Sequence, residues 1–199
     1  MSRRSLVLSA LALLSLAGPM LCMGTPALAQ MPPNADSLLV VQRAMLAKLS
    51  FMDGVWRGQA TTTLPSGEKK TVTQTERIGP FLDGAVKMIE GRGYDADGQV
   101  AFNALGILSY DPAKRSHSLR SYAMGQAGDF AFSPADSGYT WEIPAGPVTI
   151  RYTAVIRRGK WHETGERVVP GGDSVRFFDM TLTRVGDSGW PSAGTIPPR

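Results

Sequence analysis

The sequence predicts a mainly β protein: a single antiparallel up-and-down β-barrel of about ten strands, preceded by one N-terminal amphipathic helix. Three observations support this prediction. Apolar residues recur at helical spacing over residues 36–50. After Asp53, segments rich in Thr, Val, Tyr and Phe alternate with short turns that contain Gly, Pro, Asp or Ser. Closure of such strands into a barrel removes the exposed edges that an open ten-stranded sheet would leave.

The helix is expected over residues 36–50, where Asp36 or Ser37 can cap its first turn. Its apolar stripe comprises Leu38, Val41, Met45, Leu49 and Met52. The strands are expected at residues 54–63, 69–78, 84–92, 100–110, 117–124, 128–133, 138–143, 147–157, 160–169 and 174–185. Nearly all of the gaps between them have the length of hairpin loops, which favours neighbours in sequence pairing in space.

The first 29 residues have the pattern of a secretory signal peptide. Two arginines precede the apolar run 6–16, and a small-x-small pattern at 27–29 predicts cleavage before Gln30. The protein is therefore expected to be secreted, into a bacterial periplasm. The general secretory route and the twin-arginine route both remain open. The predicted organisation is a signal peptide at 1–29, an extended leader at 30–35, the helix and barrel at 36–186, and a flexible tail at 187–199.

Composition narrows the classes of function for the mature chain. The full sequence has one cysteine, Cys22, which lies in the predicted signal peptide. The mature chain is therefore expected to have no internal disulfide and no cysteine-ligated metal. The remaining 19 basic and 17 acidic residues give a net charge of +2. That charge is too small to indicate nucleic acid or integral membrane contact. Oligomeric state is left open.

Motifs at both ends of the barrel segment resemble those of calycins, the lipocalin and fatty-acid-binding-protein superfamily. They are "GVWRGQA", which contains Trp56, and "MTLTR", which ends at Arg184. Together with "GILSYDP", "KWHETGE" and "FFDMTLTR", they also resemble DUF1579, a family of bacterial exported proteins of unknown function. The resemblance covers nearly all of residues 45–185. It implies a calycin-like barrel in which Arg184 packs over the Trp56 ring, a cation–π contact.

"GVWRGQA" also resembles the opening of nitrobindin-type haem barrels, which bind haem iron through a histidine on the final strand. Here the final strand, "VRFFDMTLTR", contains no histidine. No cofactor is therefore expected.

The stretch "KWHETGE" places His162 beside Glu163, which suggests a metal or acid–base site. Successive strand side chains point to opposite faces, so these two residues are expected on opposite sides of the barrel wall. No metal site is therefore expected. Glu163 shares the inward face with Trp161, and a buried carboxylate needs a partner. The candidate partners are Arg120, Tyr122 and Arg176.

The leading functional hypothesis is a barrel that binds a small apolar or amphipathic molecule in its interior, without catalysis. The predicted ligand contacts are Met88, Glu90, Tyr122, Trp141, Tyr152, Trp161, Glu163, Phe178 and Met180. One alternative is an enzyme that uses Glu163 or Glu90 as a general acid or base. The other is a structural or interaction protein whose barrel interior is filled.

Overall fold

Ten antiparallel strands close into a barrel in which each strand pairs with its neighbours in sequence, and β1 pairs with β10. The computed structural model describes residues 34–190. The predicted fold class, a mainly β up-and-down barrel with one helix near its N-terminus, is confirmed. The predicted signal peptide, residues 30–33 of the leader and residues 191–199 of the tail lie outside the described part of the chain.

The helical elements are α1 (Ala35–Ala47) and two 3₁₀ turns (Ser50–Met52 and Leu82–Gly84). The strands are β1 (Gly54–Thr63), β2 (Lys69–Phe81), β3 (Val86–Tyr94), β4 (Val100–Asp111), β5 (Ser116–Ala123), β6 (Gln126–Ala135), β7 (Gly138–Ala145), β8 (Val148–Arg157), β9 (Lys160–Val168) and β10 (Val175–Gly186). No helix among residues 34–190 is long and apolar enough to cross a membrane.

The largest differences between predicted and observed boundaries lie at the end of the helix and at the corner between β2 and β3. The helix ends at Ala47 and not at residue 50, and the chain continues into the first 3₁₀ turn. Strand β2 continues to Phe81, so β3 begins at Val86 and not at residue 84. The second 3₁₀ turn separates them, and Asp83 adopts a positive φ of 53° there. Gly79 and Pro80, which are typical turn residues, lie within β2, and this explains why its end was predicted too early.

The buried face of α1 is rotated from the predicted stripe. Leu46, which is outside the predicted stripe, is the buried residue of α1, whereas Val41 is 42% exposed; Leu49 and Met52, which follow the helix, are buried as predicted. Gln42 faces the barrel instead, and its side-chain amide donates a hydrogen bond to the Tyr110 carbonyl oxygen at 3.3 Å. This bond joins the helix to the end of β4, so a polar residue occupies a position that periodicity alone assigns to the exposed face.

The barrel end beneath α1 is filled by apolar side chains, and we call it the closed end. Its most deeply buried residues, each at most 1% exposed, are Leu49, Met52, Trp56, Ile78, Leu108 and Leu182. The Trp56 indole N–H donates to the Met52 carbonyl oxygen at 2.9 Å, so its one polar atom is satisfied. Burial of each such side chain contributes about 1.5–3 kcal/mol, so this end anchors the fold.

Trp56 and Arg184 are cross-strand partners at the closed end. The cation–π contacts within residues 34–190 do not include this pair, so the expected packing of Arg184 over the Trp56 ring is wrong. The Arg184 guanidinium donates instead to the Asp53 carbonyl oxygen at 3.1 Å and pairs with Asp187. It lies against Gly54, where a Cβ atom would come within 2.6 Å of Arg184 Nε. These oxygen acceptors hold the guanidinium at the rim, away from the indole face.

Candidate ligand cavity

A cavity of about 830 Å³ occupies the barrel between the closed end and the opposite hairpins. We call that opposite side the open end, because residues of the β1–β2 and β5–β6 turns, Leu64 and Met124, reach the cavity there. Most of the lining side chains are apolar. Apart from tyrosines, the ionisable acidic and basic side chains that line it are Lys70, Glu76 and Glu163. An apolar cavity with a few polar groups is the usual composition of a small-molecule site.

Glu163 lies deep in this cavity on β9 and is 6% exposed. Its carboxylate accepts hydrogen bonds from the Tyr139 hydroxyl at 2.6 Å, the Trp161 indole N–H at 3.2 Å and the Trp141 indole N–H at 3.3 Å. Strand alternation brings these groups together, because each faces inward from β7 or β9. Three donors stabilise the ionised carboxylate, yet burial outweighs them and raises the pKa of Glu163.

A second carboxyl group, that of Glu76 on β2, faces the same space. Its Oε1 accepts a hydrogen bond from the Gln74 side-chain amide at 2.7 Å. Gly91 on β3 is its cross-strand partner, and a Cβ atom there would lie 2.7 Å from Glu76 Oε1. The glycine therefore makes room for the carboxyl group against the barrel wall. We call Glu76 and Glu163 the carboxyl pair.

The electrostatics of the carboxyl pair follow from low solvation and like charge. Burial, with smaller contributions from the charges of Glu163 and Glu90, raises the pKa of Glu76 to about 8. Glu76 keeps some accessible surface because it borders the cavity. Burial and the neighbouring Glu163 charge also raise the pKa of Tyr139, and raise that of Tyr152 to about 12. At neutral pH, Glu76 and both tyrosines are therefore mainly protonated.

Aromatic side chains form one wall beside the carboxyl pair. Trp141 and Tyr152 stack with their ring centroids 4.5 Å apart and their planes 9° apart. The Phe130 and Trp141 ring centroids are 5.7 Å apart, and the Phe178 and Tyr152 rings lie edge-to-face with their centroids 5.6 Å apart. We call these four residues the aromatic wall. Offset and edge-to-face arrangements of this kind hold the rings in fixed orientations, so the wall presents a preformed apolar surface.

Six of the nine predicted ligand contacts line the cavity: Trp141, Tyr152, Trp161, Glu163, Phe178 and Met180. They come from β7 to β10, where the alternation of large apolar residues is regular. A bulge in β10 also brings Phe177 to the cavity beside Phe178. Whether any of these residues contacts a ligand remains a prediction.

The other three, Met88, Glu90 and Tyr122, lie outside the barrel, so their placement in the cavity is wrong. They border a separate outer groove of about 420 Å³ with Trp190. On β3 the inward residues are Lys87, Ile89, Gly91 and Gly93. Because three of these four residues are glycine or lysine, the inner face of β3 shows no apolar pattern in the sequence. The inner and outer faces of this strand were therefore predicted the wrong way round. Since Glu90 is outside, the alternative of Glu90 as an interior catalytic acid is also wrong.

The predicted partners of Glu163 are likewise wrong. Arg120 is on the outer surface, where it pairs with Asp129 and donates to the Tyr122 hydroxyl at 3.2 Å. Arg176 lies 3.6 Å from Glu166. Neutral donors, and not a cation, surround the buried carboxylate.

Sequence reasoning missed Gln74, Glu76 and the role of Tyr139. A signal for the first two was present, since Val72 and Ile78 have the same parity in β2 and bracket them. The opposite face of β2 carries threonines, so both faces of the strand look polar in the sequence. The inward direction of Gln74 and Glu76 was therefore not recognised.

His162 lies on the outer face of β9, as predicted, and its Nε2 is 3.1 Å from Asp179 on β10. Its side chain is 52% exposed. Among residues 34–190 no three His, Cys, Asp or Glu side chains cluster in a way that could hold a metal ion.

Known proteins resemble this chain in fold. No protein-family model matches the sequence, and no curated protein matches it. A solved structure, described as the crystal structure of Rv2717c from M. tuberculosis, is similar with a TM-score of 0.54 and 14% sequence identity. The match covers 70% of this chain and 96% of that one. At this identity the likeness shows a shared barrel fold.

Proposed function

We propose that this protein is a binding protein whose barrel holds a small, mostly apolar molecule. The observation that carries the proposal is the cavity of about 830 Å³, with apolar walls and the carboxyl pair at its deep end. Protein interiors are normally close-packed. In the same barrel, the side chains of the closed end are packed so tightly that the most buried of them are at most 1% exposed. An open space of this size beside them therefore favours a ligand site over a filled, purely structural barrel.

Binding of the neutral dye Nile red tests this proposal, because its fluorescence rises in an apolar site. The wild-type protein should bind the dye saturably. Ala104 lines the cavity on β4, so Ala104→Phe should weaken binding about tenfold or more, a loss of about 1.4 kcal/mol. The matched control is Asn103→Phe, at the exposed neighbouring position, which should bind like wild type. Failure of wild type to bind, or unchanged binding by Ala104→Phe, would contradict the proposal.

We further propose that the protein is exported and acts in the periplasm. The support is the sequence pattern of residues 1–29. N-terminal sequencing of protein from a periplasmic fraction should give a chain that starts at Gln30. An intact Met1 start in that fraction would contradict the predicted cleavage. The resemblance to DUF1579 and calycin barrels stays a prediction, supported at present by the barrel fold.

A further inference from the structure

The charge inside the cavity is unevenly distributed. Lys70 is an exposed residue at the start of β2, near the open end. The carboxyl pair lies deeper, next to the aromatic wall. No Lys, Arg or His within residues 34–190 forms an ion pair with Glu76 or Glu163. The deep half of the cavity is thus acidic and has no cation of its own.

The hydrogen-bonding capacity of the carboxyl pair is also incompletely used. An ionised carboxylate offers about four acceptor positions. Protein donors fill three on Glu163, from Tyr139, Trp141 and Trp161, and one on Glu76, from Gln74. Acceptor positions therefore remain on Glu163, and on Glu76 once its proton is displaced, and a ligand that donates hydrogen bonds can occupy them. A ligand carboxylate could accept only the single proton of Glu76 and would add a negative charge beside Glu163.

The aromatic wall adds a second preference in the same direction. The faces of Trp and Tyr rings carry negative electrostatic potential and attract cations, whereas their area binds apolar groups. Trp141 belongs to the wall and also donates to Glu163. The apolar surface and the acidic groups are therefore contiguous, which suits one molecule with a charged head and an apolar body.

We infer that the ligand is an amphipathic organic cation whose amine head lies against Glu76 and Glu163 and whose apolar body lies on the aromatic wall. This inference rests on the proposed function, because it identifies the class of molecule that the same cavity takes. Neutral apolar molecules bind more weakly than the amine, and apolar carboxylates bind weakest.

Proton release provides a readout of the head-group contact. Because the pKa of Glu76 is raised to about 8, this side chain holds a proton at pH 7, and an ammonium group beside it displaces that proton. The titratable side chains that line the cavity with Glu76 are Lys70 on β2 itself, Tyr139 on β7, Tyr152 on β8 and Glu163 on β9. On the neighbouring strand β3, Lys87 faces inward and Glu90 lies on the outer face, where it pairs with Arg92. Lys87 is already paired with Asp53, and the tyrosines stay protonated.

Three probes that share one ring system test the inference: 2-naphthylmethylamine, 2-naphthylmethanol and 2-naphthoate. Displacement of Nile red at pH 7 should rank the amine first, with an affinity about tenfold above that of the alcohol, and the carboxylate last. Calorimetry in phosphate and Tris should show proton release with the amine and none with the alcohol. Equal affinities of amine and alcohol, or a preference for naphthoate, would overturn the inference while the proposed function stands. Absence of Nile red binding would overturn both.

Variants assign the preference to the carboxyl pair. Glu163→Gln and Glu76→Gln should each reduce the amine-to-alcohol affinity ratio several-fold. Glu142→Gln is the matched control, since Glu142 is on the outer side of β7, paired with Arg151 at 2.6 Å, and it should keep the ratio. A Glu76→Gln variant that binds Nile red, retains the full ratio and still releases a proton would overturn the inference. Should Glu163→Gln fail to fold, the result with Glu76→Gln decides.

Discussion

Replacement of Glu76 by Gln is expected to stabilise the protein at alkaline pH. The folded state holds the Glu76 carboxyl with a pKa of about 8, and its ordinary value is 4.5. Between these values the folded chain binds a proton that the unfolded chain does not. The free energy of unfolding therefore decreases as pH rises from about 4.5 to about 8. Gln carries no charge at any pH and can still accept the Gln74 hydrogen bond, so the variant avoids this loss.

The size of the effect follows from the pKa difference. Each pKa unit corresponds to about 1.4 kcal/mol, so the full shift corresponds to about 5 kcal/mol as an upper bound. Glu76 borders the cavity and keeps part of its contact with water. Water there screens the charge, and we expect about 2 kcal/mol to remain.

Urea unfolding followed by tryptophan fluorescence between pH 5 and pH 9 measures this effect. Wild type and Glu76→Gln should have similar unfolding free energies at pH 5, and the variant should be more stable by about 2 kcal/mol at pH 9. Glu142→Gln, on the outer face, should show no pH-dependent gain. A constant difference between wild type and Glu76→Gln across this range, or a less stable variant at pH 9, would show that the folded protein does not hold Glu76 with a raised pKa.

Two further substitutions test the packing and the polar network. Leu182→Ala removes a fully buried side chain at the closed end and should lower the free energy of unfolding in urea by about 2–5 kcal/mol. The control Val185→Ala, at a position 61% exposed on the same strand, should change that free energy by less than about 0.5 kcal/mol. Similar losses for both variants would contradict the assigned inner face of β10. Tyr139→Phe removes the 2.6 Å hydrogen bond to Glu163 and should cost about 1–3 kcal/mol in the free energy of unfolding, with Tyr94→Phe as the control on β3. An unchanged unfolding free energy for Tyr139→Phe would argue against a hydrogen bond between Tyr139 and the buried Glu163.

The fold could be predicted because its signals are local. Alternation with a period of two, interrupted by short turns, determined the number and order of the strands. On β9, the large residue Trp161 marks the inner face clearly, and Glu163 follows by parity. The bounds of β1 were confirmed to the residue.

The complete site could not be predicted, because face assignment fails where a strand lacks a distinct apolar side. On β3, an error of one position in the face assignment exchanges Glu90 for Gly91. The prediction then places in the cavity a carboxyl group that lies on the outer surface of the protein. The partners of Glu163 depend on which residues of distant strands meet across the barrel, and that depends on closure and register, which are tertiary properties. The Arg184–Trp56 contact was expected from the resemblance to calycins, whereas in the structure the guanidinium donates to Asp187, nearby in sequence, and to the backbone of Asp53, which reaches it only through barrel closure.

A crystal structure of the protein in complex with Nile red would show whether the barrel interior is a ligand site. We expect the dye inside the barrel, with its rings against Trp141 and Phe178 and its edge directed towards Glu163. Dye bound in the outer groove beside Met88 and Tyr122, with the barrel interior filled by rearranged side chains, would contradict it.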